Sequence, residues 1–118
     1  MSFTVKDHKV LMNLMLYRYH RKLVALVTWC YVRLSEVTIT SAWREGDEGV
    51  HGCGRGIDIR SRCFDVPQAI ADEINKHWKY DPARPEKMCA LYHDSGQGPH
   101  IHLQVSDATI LQPSQNVT

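Results

Sequence analysis

Histidine is the residue type to read first in this chain, because seven occur in 118 residues. Imidazole titrates near neutral pH and is a common metal ligand, so the positions of these residues decide what chemistry is available. Two segments stand out. In Gly49-Val50-His51-Gly52-Cys53-Gly54-Arg55-Gly56-Ile57-Asp58, a histidine precedes an aspartate by seven positions, across a glycine-rich approach. In His100-Ile101-His102-Leu103-Gln104-Val105, polar and aliphatic residues alternate strictly. Neutral imidazole and carboxylate are good zinc ligands. Strand alternation would turn Asp58 away from Ile57 and Ile59, and His100, His102 and Gln104 away from Ile101, Leu103 and Val105. If the aliphatic faces pack on helices, Asp58, His100 and His102 share an open face, and His51 can fold back to join them.

The elements that must hold these residues are also legible. Residues 5–34 read as helical, in one or two pieces, with Thr4 and Asp7 as a capping pair and 24–32 β-branched enough to leave a strand open. Val37 to Trp43 reads as a strand, and Arg44 to Gly49 as a polar loop. Gly56–Arg60 is a short strand. A helix opens near Asp65, the expected cap, with Pro67 in its first turn and Ile70, Ile74 and Trp78 as its apolar stripe. A proline-bearing loop covers 80–87, Met88 to Tyr92 is a strand, and Asp94 to Pro99 is a turn. The tail from Ser106 is expected to fray. The fold class expected is α+β: one domain over 1–118, an antiparallel sheet with helices on one face and a zinc site on the other. Its N-terminal helical region is 5–34, and its metal-site core is 36–106.

Composition narrows the function classes. Fourteen Lys and Arg against thirteen Asp and Glu leave a net charge of +1, a near-neutral balance that gives no electrostatic footprint for non-specific nucleic-acid or membrane binding. The most apolar window, Leu23 to Val32, is too short to span a bilayer. No apolar segment with a cleavage site follows the basic start, so synthesis in the cytoplasm without a signal peptide is expected. Cys30, Cys53, Cys63 and Cys89 form no C-x-x-C pair and read as buried or half-buried free thiols. His8, His20 and His77 fall on helical stretches as solvated or half-buried residues, and Trp29, Trp43 and Trp78 read as core.

The run from Gly49 to Asp58 resembles the S-x-H-x-x-G-x-A-x-D pattern of zinc peptidases of the D-Ala-D-Ala carboxypeptidase and murein endopeptidase type, in the wider group of lysostaphin, D-Ala-D-Ala peptidases and the hedgehog domain. His100-Ile101-His102 resembles their H-x-H element, and Ile39-Thr40-Ser41-Ala42-Trp43-Arg44 their T-S-G-[YF]-R strand. The likeness covers about residues 36 to 106. Carried over by position, it implies zinc held by His51, Asp58 and His102. It implies His100 as a group that stabilises or protonates the reacting centre, and Arg44 as a holder of a substrate carboxylate. His93 resembles an extra histidine of the endopeptidase branch. Gly49 stands where serine is usual and Gly56 where alanine is common. The glutamate that many relatives carry before the last ligand is replaced by Gln97, Gly98 and Pro99. The general base is then His100, His93, Glu45 or Glu48.

The activity this implies is zinc-dependent hydrolysis of peptidoglycan peptides, by an enzyme without nucleic-acid partners or membrane insertion and of open oligomeric state, which a phage would deliver to the wall by lysis or in its virion. A catalytically silent metal-binding domain of the same fold is the alternative. A single-strand nuclease built on His-x-His is a third reading, but no tyrosine follows His102. A zinc site on Cys53, Cys63 and Cys89 has no pattern behind it.

Overall fold

The computed structural model describes residues 2–16, 18–34, 36–42, 49–94, 96 and 98–112. The chain builds a five-stranded sheet from β1 (Ser2–Val5), β2 (Glu36–Ser41), β3 (Gly56–Arg60), β5 (Ala90–Asp94) and β6 (Pro99–Gln104). A separate two-stranded ribbon pairs β4 (Trp78–Lys79) with β7 (Ile110–Leu111). The helices are α1 (His8–Leu16), α2 (Arg21–Arg33) and α3 (Pro67–His77). Spatial strand order is β1-β2-β3-β6-β5. Only the β1–β2 pair is parallel, and the rest of the sheet is antiparallel. The fold is therefore α+β, with a mixed and mostly antiparallel sheet.

The core forms where period-2 and period-3.6 patterns meet. Ile57, Ile59, Ile101 and Leu103 point from the two central strands to one face, where Leu23, Leu26 and Cys30 of α2 and Ala71 and Ile74 of α3 are also buried. Each large aliphatic side chain buried there stabilises the fold by about 1.5–3 kcal/mol. Trp29 and Trp78 stack edge-to-face at 6.3 Å and belong to the core or its margin, as expected. Cys30 and Cys89 are buried free thiols whose pKa rises to about 12, first through desolvation, so they are inert. Cys63 is half-buried, but Cys53 is exposed, contrary to expectation.

Several local expectations give way. Residues 2–5 extend as β1 instead of leading into a helix, and Thr4 donates or accepts at Thr38 Oγ1 across the parallel pair. Asp7 alone caps α1, accepting from the Val10 amide at 3.0 Å. The 24–32 ambiguity resolves as helix, and His20 caps α2 by accepting from the Lys22 amide. Helix α3 starts after Val66 with no side-chain cap, so Asp65 stands one position too early. Trp78 leaves that helix for β4. The strand expected at 88–92 begins at Ala90, where the Asn75 side chain accepts from the Cys89 and Ala90 amides and donates to the Ala90 carbonyl. That amide occupies the sheet edge as a further strand would. Nor does the chain fray at Ser106: the Ser106 and Thr109 hydroxyls both donate to the Tyr80 carbonyl, and β7 closes on β4.

Candidate metal centre

Register brings the polar residues together. Asp58 on β3 lies directly opposite His102 on β6, and His100 lies opposite both Arg60 and His93 of β5. The aliphatic neighbours of these residues face the helices, so the expected partition of Asp58, His100 and His102 from Ile57, Ile59, Ile101 and Leu103 holds.

His51 arrives from the loop before β3, and a glycine lets it do so. A Cβ at Gly56 would lie 2.3 Å from Val50 Cγ2 and 3.2 Å from the Val50 carbonyl carbon. Only a residue without a side chain permits Val50 to lie against the start of β3, which sets the next residue, His51, over Asp58. Gly54 adopts a positive φ of 72°, a turn conformation open to glycine at little cost. The loop is pinned by the Arg55 amide to the Val50 carbonyl at 2.9 Å and by the Arg55 guanidinium to the Val105 carbonyl at 3.0 Å.

His51 Nε2 lies 3.2 Å from Asp58 Oδ1, and His102 Nδ1 lies 2.9 Å from the same oxygen. The second nitrogen of each ring fixes its tautomer. His51 Nδ1–H donates to the Ala42 carbonyl at 2.9 Å, which leaves Nε2 with its lone pair toward Asp58. Gln104 Nε2–H donates to the Met88 carbonyl, so Gln104 turns Oε1 to His102 and accepts from its Nε2–H at 3.1 Å. His102 Nδ1 is then bare as well. His100 repeats the arrangement at longer range: Nδ1–H donates to the Gly98 carbonyl at 3.2 Å, and Nε2 lies 3.7 Å from Asp58 Oδ2.

Neutral imidazole lone pairs aimed at a carboxylate repel it, and the site is nearly closed to water: Asp58 is 4% exposed, His51 6% and His102 9%. A cation among these atoms, either protons on the rings or a metal ion, makes the arrangement favourable. With protons on the rings, the Asp58 carboxyl responds accordingly: burial pushes its pKa up, but hydrogen bonds from the protonated His102 and His51, with their charge, outweigh this and hold it well below the usual carboxylate range.

Metal fits the donor set. His51, Asp58 and His102 offer one ligand atom each within 4.8 Å of one another. Ligand atoms about 2.0–2.1 Å from a tetrahedral zinc stand about 3.3 Å apart, close to the two contacts at Asp58 of 3.2 and 2.9 Å. The carbonyl of Ala42 and the side chain of Gln104 orient the ligands from behind, as outer partners do in zinc sites.

His93 and His100 stack with ring centroids 4.7 Å apart, and His93 lies 6.0 Å from the His102 ring. Burial lowers the His93 pKa first, and the neighbouring His100 and His102 lower it further. Arg44, Glu45, Glu48 and Trp43 lie outside the described residues. His8 is exposed on α1, His20 contacts Asp107, and His77 contacts Glu73, all away from the cluster. Sequence reasoning missed Gln104 as an orienting residue, although strict alternation after His102 places it on the same face. Ala42 contributes only a carbonyl, which no side-chain pattern announces. Comparison with protein-family models, with curated proteins and with solved structures finds no significant match.

Proposed function

We propose that the protein is a zinc-dependent peptidase acting on peptidoglycan peptides, with a fold of the D-Ala-D-Ala peptidase and hedgehog kind. The observation that carries this reading is the convergence of bare imidazole nitrogens from His51 and His102 on Asp58, in the chain order H-x6-D then H-x-H of that group. When bound, zinc would polarise the scissile carbonyl and lower the pKa of an attacking water to about 7. His51, Asp58 and His102 would hold the ion. His100 keeps its Nδ1–H on the Gly98 carbonyl, so its Nε2 is the atom that takes a proton from the attacking water and returns it to the leaving amine. His93, stacked on His100, limits the positions that ring can take.

The test is release of amino groups from purified cell-wall peptide, with and without chelator. His100→Ala should keep its zinc and lose about 10² or more in turnover. Wild type and His100→Ala that bind zinc equally and are both inert would overturn the enzyme reading. One sequence feature favours that second reading, a metal-bearing domain without catalysis: Gln97, Gly98 and Pro99 occupy the stretch where a glutamate base would stand.

A further inference from the structure

The near-zero net charge conceals a strong segregation. Residues 1–35 contain six basic side chains (Lys6, Lys9, Arg18, Arg21, Lys22 and Arg33) and a single acid, Asp7. The remaining 83 residues contain eight basic and twelve acidic ones. The first third is therefore +5 and the rest −4. All six basic residues except Lys22 are exposed; Asp107, from the acidic remainder, contacts His20 and Lys22 at the start of α2, and the Arg33 guanidinium lies over the Trp29 ring at 4.8 Å, which leaves Lys6, Lys9, Arg18 and Arg21 as the main positive charges of this region.

The same region carries apolar side chains that the fold does not cover. On α1, Val10 is buried and Leu14 packs on the core, yet Leu11, Met12 and Met15 are exposed, Met15 at 76%. Positions i, i+1 and i+4 share one side of a helix. On α2, Val24 and Val32 are exposed at i and i+8, and Arg21 lies one turn before Val24. Phe3 of β1 is also exposed, with its ring edge-to-face against Tyr31 at 5.8 Å. Between these elements lies an apolar cavity of about 250 Å³, with Phe3 and Val24 among its walls. Two of its polar wall groups are spent internally: the Tyr19 hydroxyl donates to the Asn13 carbonyl and the Thr28 hydroxyl to the Val24 carbonyl. A cavity with so few polar groups favours apolar chain over water.

We propose that the face formed by β1, α1 and α2 docks on an anionic lipid bilayer. Exposed Leu, Met and Val enter the interface, and the surrounding Lys and Arg reach the headgroups, the arrangement of a peripheral amphipathic surface. Protein–protein interfaces are depleted in lysine, whereas Lys6 and Lys9 border the apolar side of α1. Helices cover one face of the sheet and the His–Asp cluster lies on the other, so a docked molecule presents that cluster away from the membrane.

Vesicles of phosphatidylcholine with and without phosphatidylglycerol test this on the full chain by co-sedimentation. Wild type should bind the anionic vesicles, weaken as salt rises, and bind neutral vesicles far less. Arg18→Glu with Arg21→Glu should weaken binding more than about a hundredfold, given about fivefold for each of the charge units that the two reversals change near the surface. Met12→Ser with Met15→Ser should weaken it about tenfold. All four positions are exposed, so unchanged circular dichroism and zinc content would show that the fold and the metal centre are intact. Absence of binding to anionic vesicles at low salt, or equal binding by wild type and both variants, overturns the proposal. A wild-type dimer abolished by Met12→Ser with Met15→Ser, without vesicle binding, also overturns it and assigns the face to a second copy.

Discussion

The two faces of the central sheet are built on opposite principles. The covered face holds Ile59, Ile101 and Leu103 at essentially no exposure, and apolar burial alone is enough to stabilise it. The open face buries Asp58, His51 and His102 almost as deeply, but there burial opposes the fold unless every polar atom is satisfied. Each ring nitrogen that can donate has an acceptor, and those that cannot are left facing a carboxylate. One face is complete as folded, whereas the other is stabilised by positive charge among its atoms.

Truncation on the covered face should have the largest effect on stability. Leu103→Ala should cost about 3 kcal/mol, within the usual 2–5 kcal/mol for such a cavity, measured by denaturant unfolding. His100→Ala, adjacent to Ile101 but on the open face, should cost less, about 1 kcal/mol, the loss of its hydrogen bond to the Gly98 carbonyl. Equal losses would break the contrast between the faces.

Outer support of the metal is the next effect in size. Gln104→Ala removes the acceptor that fixes the His102 tautomer, so zinc affinity should fall about 10–100-fold with the fold retained. Competition with a chelating dye reads this directly, and an unchanged affinity would mean that Gln104 does not set the ring.

Acid should weaken the open face, and more modestly. Asp58 has a folded-state pKa held below its unfolded value of about 3.9, so its contribution is present above that value and lost as pH falls further. In metal-free protein, Asp58→Asn should flatten the loss of stability below about pH 4. A variant whose acid unfolding parallels wild type would place the acid sensitivity elsewhere.

Strong local periodicity made the site strands legible, and the parts that escaped depend on distant partners. Alternation in 56–60 and 100–105 marked both central strands and the face of each histidine. The H-x6-D spacing marked His51, although what seats it, the approach of Val50 to Gly56, is a contact between backbone and side chain that spacing does not encode. Strand β1 is four residues whose partner begins 34 positions later, so its local sequence read as a helix entry. The 106–112 segment looked like a polar tail because its anchors are hydroxyls on one carbonyl of Tyr80. The segregation of charge was visible in the sequence but hidden in the total.

The central claim is that the open face is a metal site, and zinc stoichiometry tests it most directly. Elemental analysis after dialysis against buffered zinc should give about one ion per chain for wild type and none for His51→Ala, Asp58→Ala or His102→Ala, each of which removes one of three ligands. Wild type without zinc and without a thermal shift on zinc addition would contradict the account, as would three variants that retain the metal.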